Sequence, residues 1–196
     1  MAACLVTALA FAGPLTGDTP AAPGPTGSRE SIVINSVSSN IDYQTNRAEF
    51  TDIVISRGDS RLTAERATTT GVDFTNSQWT FRGRVVILSE SLGSLRADQA
   101  ILQFRDGELT HATAIGAPAY IEQASDSVRP QYGHADEITY EGVPHTLRLS
   151  GHAQLSDGRN EISAPAFLYN VRDQGWQAIS SSEGRDIHIR VLPPGR

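Results

Sequence analysis

Five histidines, at 111, 134, 145, 152 and 188, are the side chains of this chain best suited to holding a metal or moving a proton. No two stand at i, i+2 or i, i+4, and Cys4 is the single cysteine. The spacing that brings zinc ligands together from one strand or one helical turn is therefore missing, and an intrachain disulfide is ruled out. Gly-x-Ser-x-Gly and Gly-x-x-x-x-Gly-Lys do not occur, so neither a nucleophile elbow nor a phosphate-binding loop is expected. The carboxylates are scattered. The expectation is a protein that is not an enzyme and takes no metal or cofactor. The chemistry the sequence does support is the burial of apolar surface.

That surface must be built from strands. After residue 30, Thr, Ser, Val, Ile and Gly outweigh the usual helix formers. Asp106-Gly107 and Asp157-Gly158 are strong hairpin signals, and Arg57-Gly58-Asp59-Ser60 reads as another turn. Short strands follow at Ser31–Val37, Ala48–Ser56, Arg61–Thr68, Trp79–Ser89 and Leu95–Phe104. Leu109–Gln123 reads as strands broken at Gly116-Ala117-Pro118, and Ala124–Gln131 as a loop. Ala135–Tyr140, Thr146–Leu155, Glu161–Asn170, Gln177–Ser182 and Ile187–Leu192 complete the set. Such density of strands and turns predicts an all-β fold.

The strands repeat. Phe50-Thr51-Asp52-Ile53-Val54-Ile55 leads to Leu62-Thr63-Ala64-Glu65. Phe81-Arg82-Gly83-Arg84-Val85-Val86-Ile87 leads to Leu95-Arg96-Ala97-Asp98, and Leu149-Ser150-Gly151-His152-Ala153-Gln154-Leu155 to Ile162-Ser163-Ala164-Pro165. Gly133-His134-Ala135-Asp136 is a partial copy. The Ala-led anchors begin at 64, 97, 135 and 164, in steps of 33, 38 and 29 residues. A repeat of this length means one supersecondary unit stacked on copies of itself. Alternation puts Phe50, Asp52 and Val54 on one face, then Phe81, Gly83, Val85 and Ile87, then Leu147, Leu149, Gly151, Ala153 and Leu155. Ile53 and Ile55 point the other way, so the first of these strands leaves its inner face open.

The 196 residues suffice for one domain with a substantial core. A net charge of −6 with a pI near 5.3 argues against nucleic acid, which needs a basic surface. Residues 1–12 read as a signal-peptide-like segment ending in Ala10-Phe11-Ala12, although no Lys or Arg precedes Arg29. Residues 13–30 read as a flexible linker, 31–192 as the single β-domain and 193–196 as a tail.

The cassettes resemble the OstA-like family of lipopolysaccharide-transport proteins. The pattern is aromatic-x-Gly-x followed by a β-branched run, then a turn and an aliphatic-x-Ala-Asp. Phe81–Ile87 with Leu95–Asp98 follows it closely; Phe50–Ile55 with Leu62–Glu65 follows it with Asp52 for Gly and Glu65 for Asp. Gly116-Ala117-Pro118-Ala119-Tyr120 and the opening Ile32–Ser36 also fit, so the resemblance spans about residues 31–192. It implies an antiparallel, half-open, taco-like β-jellyroll in the periplasm. It further implies that the fold shields the lipid A acyl chains of lipopolysaccharide between inner and outer membrane. Subunits would join head to tail through edge strands, with LptC-like and LptD-like proteins as partners. The residues expected to line the acyl chains are Phe50, Val54, Phe81, Val85, Ile87, Leu95, Leu149, Leu155 and Ile162; ordinary core packing is the competing reading for each. Three other readings stand beside this one: a membrane-anchored LptC-like relative, a β-module for another lipid or glycan, and a repeat β-helix enzyme that processes polysaccharide.

Overall fold

In the computed structural model the described residues are 31–71, 74–90, 93–123, 131–171, 173, 175–180 and 187–191. The signal-like segment, the linker, the C-terminal tail and most of the loop expected before Gln131 lie outside them. Twelve strands form one antiparallel sheet. They are β1 (Val33–Asn35), β2 (Ser38–Asp42), β3 (Arg47–Arg57), β4 (Ser60–Thr70), β5 (Ser77–Ser89) and β6 (Gly93–Arg105). β7 (Glu108–Gln123), β8 (Gln131–Glu141), β9 (Thr146–Ser156), β10 (Asn160–Asn170), β11 (Gly175–Ile179) and β12 (His188–Val191) follow. From β3 to β10 each strand pairs with its neighbour in sequence. Both flanks are built alike: β1 and β2 together cover β3, and β11 and β12 together cover β10. Among the described residues the two flanks do not pair with each other, so the all-β, antiparallel jellyroll stays half open.

The repeating cassette is a hairpin, and its odd-looking centre is a bend. Inward-facing residues alternate along each strand until a skip occurs near the middle. The skip runs from Phe50 to Ile53, Ala67 to Ala64, Phe81 to Val85, Ala100 to Ala97, Ala114 to Ala119, Ile138 to Ala135, Leu149 to Ala153 and Phe167 to Ala164. Most of these skips coincide with a register shift. Bulges of this kind bend a strand and increase its twist. Inside the bend stand Ile53, Ala64, Val85, Ala97, Ala119, Ala135, Ala153 and Ala164, all buried. The recurring alanines therefore stand where the strands bend and the side chains are enclosed. Gly116–Pro118 is a bend inside the single long strand β7, not the end of a strand.

Outside the bend, acid and base face each other. Arg84 pairs with Glu65 at 2.6 Å, and in the later hairpin His152 Nδ1 stands 2.8 Å from Asp136. Gly83 and Gly151, at φ +79° and +75°, supply the left-handed turn that places them. A Cβ on Gly83 would also land on the Glu65 carboxylate. Gly158 is equally left-handed, at φ +83°, but a Cβ there meets nothing within 4 Å. Gly83→Ala is therefore expected to cost about 1–3 kcal/mol, backbone strain together with displacement of Glu65. Gly158→Ala should stay near 1 kcal/mol, from backbone strain alone. Parallel urea denaturation compares them, and equal losses would refute the close approach at the bend.

Hairpin ends match their sequence signals. Asp106 (φ +53°) and Gly107 (φ +81°) make the two-residue turn between β6 and β7. Asp42 accepts hydrogen bonds from the Thr45 hydroxyl and from the Thr45 and Gln44 amides, which hold its carboxyl below the usual aspartate range.

Candidate functional site

On one side of the bend the inner face is sealed. Cross-strand neighbours run Phe50, Ala67, Phe81, Ala100, Ala114, Ile138, Leu149, Phe167, Ala178. Large side chains fill the space that small ones leave. Phe50, Trp79 and Phe81 stack at 5.7 and 5.9 Å between ring centroids, and Phe74 stacks on Trp79 at 4.7 Å. Two core clusters result, one towards each flank, and each draws residues from both sides of the bend.

On the other side of the bend the inner face is an aliphatic row. Its members, one per strand, are Ile34, Ile55, Leu62, Ile87, Leu95, Ile121, Gly133, Leu155, Ile162 and Ile189. At a strand spacing of about 4.8 Å the row extends for roughly 40 Å. Ile55 and Leu62 are buried, whereas Ile87, Leu95, Ile121, Leu155 and Ile162 are only half-buried. Gly133 does not interrupt the row: Ile121, Leu149 and Leu155 close over it, each 3.0 Å from where a Cβ would sit. The row ends on exposed residues at both flanks, Ile34 and Ile189.

Of the residues expected to line acyl chains, the structure brings Ile87, Leu95, Leu155 and Ile162 into this one row. Phe81, Val85 and Leu149 are fully enclosed in the core, and Phe50 is half-buried beside Trp79. Val54 lies on the opposite face, between the buried Ile53 and Ile55, because the skip at Asp52 reverses the alternation in β3. Ile55, Leu62 and Ile121 belong to the row without having been expected there. The signal was present: nearly every row member stands two residues from the small or β-branched residue at the bend, as Ile121 does from Ala119 and Leu95 from Ala97.

Among the described residues no group of three or more His, Cys, Asp or Glu could hold a metal ion, and no helix is long and apolar enough to cross a membrane. Asp52 and Arg84 are exposed at the bend. What the geometry offers is a long apolar strip with part of its surface still in water, inside an open roll.

The family model described as "LptA/(LptD N-terminal domain) LPS transport protein" matches residues 66–175, from β4 through the start of β11. The chain belongs to this family. It is a family of transport proteins, and the alternative of a polysaccharide-processing enzyme is set aside on that ground. The lipopolysaccharide export system protein LptA of Escherichia coli strain K12 is 28% identical over 124 residues, covering 62% of this chain and 66% of the relative. The match thus spans just under two-thirds of that protein. LptA of Haemophilus influenzae is 24% identical over 123 residues, covering 61% of this chain and 71% of the relative. LptH of Pseudomonas aeruginosa, described as the LptA-homologous periplasmic component of the lipopolysaccharide transport device, superimposes with a TM-score of 0.46 at 16% identity. The superposition covers 84% of this chain and 96% of that structure.

Proposed function

We propose that this protein carries lipopolysaccharide through the periplasm, with lipid A acyl chains lying against the aliphatic row from Ile87 to Ile162. The observation that carries the reading is that row: half-buried, continuous across the sheet and inside an open roll, in a chain of a lipopolysaccharide-transport family. Each acyl methylene taken from water contributes about 0.8 kcal/mol, so a guest with several chains needs an unbroken apolar strip. Purified protein from about residue 29 should bind lipid A saturably, and detergent should compete. Absence of saturable binding would overturn the proposal.

The same reading has copies joining end to end, with LptC-like and LptD-like proteins at the termini of the assembly. Its support is the placing of exposed apolar side chains. Val33, Ile34, Val37 and Ile41 stand at one flank, and Ile187, Ile189 and Val191 at the other. Open strand edges bearing apolar residues invite another strand. Ile189→Lys is expected to lower the concentration-dependent oligomer fraction in sedimentation velocity while leaving the protomer folded. An unchanged distribution would count against assembly through this flank.

A further inference from the structure

The outer face of the same half-sheet carries a second feature, independent of the acyl row. Behind the aliphatic strip lies a cavity of about 310 Å³. Its lining contains one cross-strand row, Arg96, Tyr120, His134 and Gln154, with Glu122, Tyr132 and Glu161 from the next row. Tyr120 and Tyr132 occupy diagonal positions on β7 and β8, close enough to flank one small guest. They are 51% and 43% exposed. The Tyr120 ring leans on the His134 imidazole, with centroids 5.9 Å apart.

The outer face on the other side of the bend is furnished differently. There the corresponding row runs Thr68, Thr80, Ile101, Thr113, Thr139 and Arg148, without an aromatic side chain. Two half-exposed tyrosines in a concavity therefore need a reason. A tyrosine offers an apolar, electron-rich ring face and a wet hydroxyl edge. Around the pair, Arg96 only donates hydrogen bonds, Glu161 only accepts them, and Gln154 does both. Arg96 shares the lining with two carboxylates, Glu122 and Glu161, and Arg190 lies 3.8 Å from Glu161, so the site has no cationic excess for a phosphate. The mixture of charged and amide groups is wrong for an acyl chain. A ring with one face of C–H groups and an edge of hydroxyls fits the tyrosine faces and the polar groups around them.

The geometry points to a saccharide subsite on the outer face of β6–β10, sized for one or two neutral sugar rings held by Tyr120 and Tyr132. Such a unit could come from the sugar part of lipopolysaccharide or from a cell-wall glycan. Titration of isotope-labelled protein with lipid-free core oligosaccharide and, separately, with chitotriose distinguishes these sources. At least one probe should move the amide resonances of residues 120, 132–134 and 154 saturably. Tyr120→Ala, Tyr132→Ala and Gln154→Leu should each weaken that probe at least tenfold while lipid A binding stays unchanged, which separates this site from the acyl row. The inference is overturned if neither probe gives saturable shifts there, if the variants bind sugar as the parent does, or if inorganic phosphate alone reproduces the shifts.

Discussion

Phe81→Ala is expected to lower the free energy of unfolding by about 3–5 kcal/mol. The side chain has no exposed surface, stacks on Trp79 and faces Ala67 and Ala100 across the sheet. Alanine neighbours cannot reach into the void, so the cavity persists and the loss falls towards the upper end. Against a typical domain stability of about 5–15 kcal/mol this is a large fraction. Phe50→Ala, half-buried in the same stack, should cost clearly less. Urea denaturation of both variants measures the difference. If Phe81→Ala costs under about 1 kcal/mol, the aromatic side of the bend is not the closed core described here.

Leu95→Glu combined with Leu155→Glu is expected to reduce lipid A affinity by more than tenfold, about 1.4 kcal/mol or greater, while the protein stays folded. Both leucines lie in the half-buried row, where a carboxylate keeps access to water in the empty protein. An acyl chain lying against them would strip that water, and the charged group resists. Ile115→Glu is the control: the residue is an exposed aliphatic outside the row, and its substitution should leave affinity unchanged. Equal losses at Ile115 and in the row would mean that charge, not placement, governs binding.

Much of this architecture was legible in the residues. The Asp-Gly turns fixed hairpin ends because few other pairs tolerate two successive left-handed residues, and Asp106-Gly107 adopts them. The cassette period marked the hairpin as the repeating unit. What strict alternation could not see was the bend. In β5 and β9 the inward face resumes four residues on, at Val85 and Ala153, so the expected faces hold. In β3 it resumes after three, at Ile53, and Val54 is turned outward. A skip of even or odd length leaves the same apolar letters in the sequence. Only pairing with the next strand reveals it. The alanine anchors were visible as a motif, but their role was not, because crowding at a bend depends on what stands across from them.

The division between enclosed core and half-buried row follows from the same cause. Phe81 and Ile87 share a face, yet they lie on opposite sides of the bend: Phe81 is enclosed in the core cluster, and Ile87 packs against that cluster half-buried. Composition treats them alike. The stacked rings around Trp79 fill one side, and the row's middle members pack against the core clusters on one flank of their side chains and keep part of their surface.

Lipid A bearing a spin label on an acyl chain tests this division most directly, read out by methyl resonances of the labelled protein. The account predicts strong paramagnetic broadening at Leu95, Ile121, Leu155 and Ile162, and sharp signals at the outward Leu88 and Ile115. Broadening centred on Leu88 and Ile115, or none in the row at saturating lipid, would contradict it.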